Sequence, residues 1–263
     1  MNFETILFEV IGGVGKIILN RPDKLNSFNA QMHEEIRSCM KNIAEDTSIR
    51  CLLLTGSGRG FCAGQDLSDR DITPDDEAPD LGGSIERNYN PLLRSIKSLE
   101  KPVICAVNGV AAGAGANIAL ACDIVFAARS ASFIQSFSKI GLVPDSGGTW
   151  TLPRVVGHAR AMALAMLAER VSAQQAEDWG MIWKCVDDEE LMSVAENQAA
   201  FLATRPTRGL AYIKHAINVS STSTFDQQLD IERDLQRLAG GTQDYREGVD
   251  AFINKREPHF TGQ

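Results

Sequence analysis

Three uninterrupted apolar runs, Cys51 to Thr55, Val103 to Val107 and Ile124 to Ala127, constrain this chain more than any other feature. None alternates polar with apolar residues, so each reads as a strand buried on both faces, as in a parallel sheet covered by helices. Gly56, Gly58 and Gly60 close the first run, and a segment able to form a helix lies beside each of the others. The order strand, glycine turn, helix, strand predicts an α/β fold.

The flanking sequence fits that frame. Ile6 to Val10 and Lys16 to Asn20 are β-type runs separated by Gly12, Gly13 and Gly15, which predicts a hairpin. After Arg21-Pro22 the period changes: Asn29 is a candidate N-cap, and Met32, Ile36, Cys39, Met40 and Ile43 recur at helical spacing. From Leu191 onward the pattern is helical, over Leu191 to Ala203, Gly209 to Asn218, Phe225 to Leu238 and Tyr245 to Asn254, with Pro206 and Gly240-Gly241 as breaks. The chain therefore divides into a core over 1–190 and a helical region over 191–263. Residues 66–80, DLSDRDITPDDEAPD, carry seven carboxylates and two prolines, and read equally as a lid over a ligand or as a solvated loop.

Composition excludes several classes. With 263 residues, 44% of them hydrophobic, the chain is long enough to bury a core without disulfides or metals. Its six cysteines are widely spaced with no CxxC pair, and no signal peptide is evident, so thiols in a reducing cytoplasm are expected and structural zinc is not. The longest apolar stretch, Pro102 to Leu120, is broken by Asn108 and by glycines, which argues against a membrane span. The formal net charge of −8 provides no general basic surface for nucleic acid or anionic lipid, so an anionic ligand would be held by local groups.

Three loops carry the candidate chemistry. Gly60 to Leu67 follows the first buried run, and its small residues would let a ligand approach backbone N–H groups, although such turns mostly only turn the chain. Asn108 to Asn117 follows the second run and opens a helix, whose N-terminus presents unpaired donors. Gly113-Ala114-Gly115 lacks the third glycine and the distal acid of a dinucleotide fingerprint, and no Gly-Lys-Ser or Gly-Lys-Thr marks a Walker loop. Two such loops, each giving one N–H to a single oxygen, would form an oxyanion hole for a carbonyl acquiring enolate character. In the third, Gly141 to Thr149, Asp145 reads either as a helix-capping or Asx-turn carboxylate or as a base in a partly apolar pocket. The four histidines are scattered, so neither a Ser-His-Asp triad at Ser146 nor a metal cluster is supported.

Taken in order, Asn20-Arg21-Pro22-Asp23-Lys24-Leu25-Asn26-Ser27, Phe61 to Leu67, Pro102 to Asp123 and the terminal Ala251 to Pro258 resemble the motifs of the enoyl-CoA hydratase/isomerase (crotonase) superfamily. The resemblance runs almost end to end. It implies a spiral of ββα units with a C-terminal helical region that packs trimers, often paired into hexamers. It also implies an acyl-CoA substrate, with CoA as part of that substrate and no separate cofactor. The oxyanion donors would be the amides of Gln65 and Ala114, and Lys24, Leu25, Ala63, Asp66 and Leu67 match positions lining the CoA site. Lys255, by position, would approach CoA from a neighbouring subunit.

Hydratases of the superfamily carry two glutamates at positions that here hold Asn117 and Phe137, neither of which activates water, so hydration is not expected. Asp145 stands where related isomerases and a dehalogenase place a functional aspartate. At closer range the loops, with Asp244 to Val249, resemble the branch that converts ring-1,2-epoxyphenylacetyl-CoA to its oxepin in aerobic phenylacetate breakdown. The expected activity is isomerisation through an oxyanion-stabilised dienolate, with Asp145 as base, or the shift of a 3-enoyl-CoA double bond to the 2 position. Another acyl-CoA enzyme of the same fold, whether a dehalogenase or thioesterase with Asp145 as nucleophile or a hydratase, and a non-catalytic binding protein are the alternatives.

Overall fold

The computed structural model describes residues 3–69 and 79–263. Strands β1 (Ile6–Ile11) and β2 (Val14–Leu19) pair antiparallel, as the glycine-separated runs predict. Helix α1 (Ala30–Glu45) follows, capped by Asn29, whose side chain accepts from the Met32 amide at 2.9 Å. The apolar residues at helical spacing, from Met32 to Ile43, are the ones this helix buries.

From β3 onward the chain repeats one step. β3 (Cys51–Gly56) leads to β4 (Gly60–Cys62), then to α2 (Leu81–Ser84), a π-helical turn over Ile85–Tyr89 and α3 (Asn90–Ser98). β5 (Val103–Val107) leads to β6 (Val110–Ala112) and α4 (Ala114–Ala121); β7 (Ile124–Ala128) leads to β8 (Ser132–Ile134), a 3-10 turn over Ser136–Ile140 and α5 (Gly148–Val156). The first strand of each step enters one sheet and the second strand enters another. After α6 (His158–Leu167), β9 (Arg170–Ser172), α7 (Ala173–Asp178) and β10 (Lys184–Val186), the sheet orders are β1-β2-β3-β5-β7-β10 and β4-β6-β8-β9. The β1–β2 and β8–β9 pairs are antiparallel and the remaining pairings parallel. This is the ββα spiral that the resemblance implied.

Burial explains the long strands. Every residue of β5, and all of β3 up to Thr55, is buried, with α8 packed against both strands. The second-sheet strands are only three residues long, and two of them, β4 and β6, are built largely from Gly, Ala and Cys. Gly60–Cys62 and Val110–Ala112, which begin the glycine loops in the sequence, are thus strands, too short for any periodicity to reveal.

The helical region from residue 191 onward divides. α8 (Leu191–Ala203) buries Leu191, Ala195, Ala199 and Leu202 in the same core as β3 and β5. α9 (Thr207–Ser220) buries little, α10 (Phe225–Gly240) buries no residue, and α11 (Gln243–Asn254) buries Asp244 and Ala251. Lys214 ties α9 to the core: its Nζ lies 2.9 Å from Asp123 Oδ2 and donates to the Ile96 carbonyl at 2.7 Å. All six cysteines are buried free thiols, and among the described residues no helix is long and apolar enough to cross a membrane.

Candidate active site

The N-terminal motif acts as a brace. Asn26 is fully buried; its Oδ1 accepts from the Arg21 amide at 2.8 Å, and its Nδ2 donates to the carbonyls of Ser57 and Gly60 at 2.9 and 2.8 Å. The Arg21 guanidinium donates to Ser27 O and to Asp66 Oδ2, the latter at 2.9 Å. Asp66 also accepts from the Ser68 hydroxyl, and that bond, followed by Arg21, holds its carboxyl below the ordinary carboxylate range. Residues of one short motif thereby fasten both ends of the first glycine loop.

That fastening sets the direction of one amide. Phe28 N donates to Gly64 O at 2.7 Å and Asp66 N donates to Phe28 O at 2.9 Å, a parallel bridge across Gln65. In such a bridge the intervening residue turns its own N–H the opposite way. The Gln65 side chain is held as well, its Nε2 donating to Phe28 O at 2.9 Å and its Oε1 accepting from the Tyr89 hydroxyl at 3.0 Å. Behind it, the His33 ring packs edge-on to Tyr89 with centroids 4.6 Å apart, and burial pushes its pKa down to about 4.

The second loop delivers the other amide. Ala114 opens α4, so its N–H has no acceptor within the helix, and the positive end of the helix dipole lies there. Among the described residues neither the Gln65 nor the Ala114 backbone N–H donates a hydrogen bond.

The third loop brings Asp145. α5 begins at Gly148 with Gly147 in the N-cap position and no side-chain cap, so the helix-capping alternative for Asp145 does not hold. Its Oδ1 accepts from the Ser146 hydroxyl at 3.0 Å.

A cavity of about 220 Å³ joins the three loops. Gln65, Ala114 and Asp145 line it with Ala63, Gly64, Leu67, Tyr89, Ser136 and Phe137, and its remaining wall is apolar, from Leu81, Ile85, Ile140, Leu142 and Val143. Asp145 is the one carboxylate among the described residues that line it. Two unpaired amides on residues lining a largely apolar cavity can stabilise negative charge on an oxygen that reaches them, and a carboxylate nearby can move a proton.

Other expected site residues fall elsewhere. Asp66, placed by resemblance at the CoA site, is 5% exposed, and its carboxylate is taken by Arg21 and Ser68, so it holds the loop instead of facing the cavity. Lys24 ends an exposed 3-10 turn, and Leu25 packs against Gly60 and accepts from the Ala63 amide at 2.9 Å, outside the lining but on the same loop. Lys255 lies just beyond α11 and does not line the cavity. Residues 70–78 of the acidic segment read as a lid or loop lie outside the described residues. Tyr89 and Ser136 were missed, since neither sits in a motif; only folding brings them to the cavity. Of the two positions that carry glutamate in hydratases, Phe137 lines the cavity and Asn117 is buried beneath it, 2% exposed.

Residues 9–263 match the family model described as enoyl-CoA hydratase/isomerase, and the chain belongs to that family. It is 62% identical, over 99% of both chains, to the 1,2-epoxyphenylacetyl-CoA isomerase of Escherichia coli. It is 44% identical over the full length of both chains to a probable enoyl-CoA hydratase of Rhodobacter capsulatus. The crystal structure of an enoyl-CoA hydratase/isomerase family protein from Mycobacterium abscessus superposes with a TM-score of 0.93 at 30% identity, covering 98% of this chain and 100% of that one.

Proposed function

We propose that this protein is an acyl-CoA isomerase that converts ring-1,2-epoxyphenylacetyl-CoA to its oxepin, and that shifts a 3-enoyl-CoA double bond to the 2 position by the same proton chemistry. The observation that carries the proposal is the composition of the cavity: among the described residues, two residues with unpaired backbone amides and one carboxylate line it, while Phe137 and buried Asn117 stand where the resemblance aligns the acids that hydration needs. The Escherichia coli relative of this name supports the choice of acyl group.

In this mechanism the thioester oxygen accepts hydrogen bonds from Gln65 N–H and Ala114 N–H, which acidifies the α-CH₂. Asp145 removes an α proton, and the electron pair enters a dienolate whose oxygen the two amides stabilise. The same carboxyl returns the proton at the vinylogous carbon. For the aryl epoxide the C–C bond shared by the two rings opens, giving the seven-membered oxepin; for a 3-enoyl-CoA the double bond moves. One carboxylate serves both ends, so no second acid is required. Tyr89 and Ser136 add the polar groups of an otherwise apolar acyl pocket.

The exposed apolar residues of α9 to α11, among them Ile213, Ile217, Phe225, Leu238 and Phe252, support assembly into a homotrimer or a hexamer of paired trimers. Six buried free thiols are in keeping with a cytoplasmic protein. The acyl group places the activity in phenylacetate breakdown.

Incubation with the aryl-epoxide acyl-CoA and with a 3-enoyl-CoA, with products identified by mass and NMR, tests the substrate. Asp145→Asn should lower turnover by about 10²- to 10⁴-fold, and near wild-type turnover by a folded variant would overturn the assignment. A covalent adduct on Asp145 seen by intact mass would make it a nucleophile and the protein another kind of acyl-CoA enzyme.

A further inference from the structure

Asn117, at a position that the resemblance aligns with a catalytic glutamate of hydratases, does not line the cavity, and its side chain is held by two hydrogen bonds. Its Nδ2 donates to the backbone carbonyl of Asp145 at 2.8 Å, and its Oδ1 accepts from Gln135 Nε2 at 2.8 Å. Gln135 is 2% exposed, so this pair is a buried polar bridge from the end of β8 to the Asp145 loop. Gly148 N donates to the same Asp145 carbonyl at 2.9 Å, so its oxygen is bonded from two sides.

The loop needs such a hold. Ser146 has φ +52° and Gly147 φ +75°, two consecutive left-handed residues directly after Asp145. For Ser146 that conformation is uphill and persists only where surrounding contacts enforce it. Gly148 completes the fit, because a Cβ there would collide with the Asn117 side-chain amide. Both hydrogen bonds converge on the carbonyl of one residue, the one whose carboxylate lines the cavity, and the close approach of Gly148 keeps the Asn117 amide beside it.

Resting on the reading of Asp145 as base, we infer that Asn117, buttressed by Gln135, is a positioning residue that sets the Asp145 carboxylate against the substrate α carbon. A position that the resemblance aligns with a water-activating glutamate serves here to aim Asp145, the one carboxylate among the described residues that line the cavity. Asn117 touches no substrate; its effect passes through the Asp145 backbone.

The test is a double-mutant cycle of Asn117→Ala and Asp145→Asn, read by kcat, KM and wash-in of solvent deuterium at the α carbon of a 3-enoyl-CoA. Asn117→Ala should lower kcat and deuterium wash-in by about 10- to 100-fold, since small displacements of a reacting group cost that much. KM should stay within about twofold, and in the Asp145→Asn background the residual rate should fall by less than about twofold further. An Asn117→Ala variant with wild-type kcat, an equal loss in both backgrounds, or a KM that rises as kcat falls would overturn the inference. If Asn117→Ala does not fold by circular dichroism, Gln135→Ala takes its place, with a loss in kcat of about 3- to 10-fold and the same non-additivity expected; unchanged kcat or additive loss there overturns it equally. Wild-type turnover by Asp145→Asn would instead overturn the base assignment, so the two failures are distinguishable.

Discussion

Gly64 lies so close to Ala114 that a Cβ on it would stand 3.3 Å from the Ala114 amide nitrogen and 3.0 Å from the Ala112 carbonyl oxygen. Its φ of +89° is also one that a side chain rarely tolerates. The two amides facing the cavity are therefore near neighbours only because residue 64 has no side chain. Gly64→Ala should push the loops apart and lower kcat by about 10²- to 10³-fold, the usual loss when an oxyanion donor is removed. Steady-state kinetics of a variant that remains folded by circular dichroism would show it; a rate near wild type would separate these amides from the chemistry.

The Arg21–Asp66 pair is largely buried, with side-chain exposures of 17% and 6%. Removing one partner leaves a charge without its counterion, so Arg21→Met should destabilise the fold by about 3 kcal/mol. Denaturant unfolding measures this, and activity should fall in parallel because the Gly64–Gln65 loop loses its anchor. Since Asp66 is held below the ordinary carboxylate range, its contribution is present above pH near 3.8 and is lost as pH falls further. An Arg21→Met variant as stable as wild type would remove the brace from the account.

His33 supplies a pH prediction. Burial lowers its pKa from 6.5 to about 4, so the unfolded chain takes up a proton that the folded chain refuses. Stability is full above 6.5 and declines as pH drops towards 4, by about 3 kcal/mol in all for a shift of that size. Thermal melts of wild type and His33→Leu between pH 7.5 and 4 check this: the variant should show a flatter slope in that window. Parallel slopes would mean that His33 titrates normally.

The proposed CoA contacts are separable from the catalytic ones. Lys24→Ala and Lys255→Ala should each raise KM for an acyl-CoA by about 3- to 10-fold with little change in kcat, and should weaken the salt dependence of binding. Because Lys255 is proposed to act across subunits, its effect should vanish at dilutions that dissociate the assembly. A Lys255→Ala variant with wild-type KM in the assembled protein would remove it from the CoA site.

Much of the fold was legible because its elements are locally specified. The α1 face, the Asn29 cap and the doubly buried β3 and β5 need only hydrophobic period and propensity to be read. The strands of the second sheet were not legible, since runs of three residues such as Gly60–Cys62 are too short to show a period, and tertiary contacts alone make them strands. At the site, the types and order of Gln65, Ala114 and Asp145 could be read from motifs, whereas Tyr89 and Ser136 carry no local signal. Asp66 was legible as a motif residue, whereas its pairing with Arg21 was not, because that partner lies far away in sequence.

The residues by themselves determined an α/β chain with two glycine loops, one candidate acid and no pair of acids at the positions hydration uses. What only the tertiary structure decided is direction. Whether the Gln65 N–H is left free or bonds a neighbouring strand depends on Phe28 bridging its flanking residues, and the loop that carries Asp145 to the cavity is tied down by Asn117 bonding the Asp145 carbonyl. Both are set by hydrogen bonds between segments distant along the chain, and a backbone group's orientation, unlike its residue type, exists only once those segments meet.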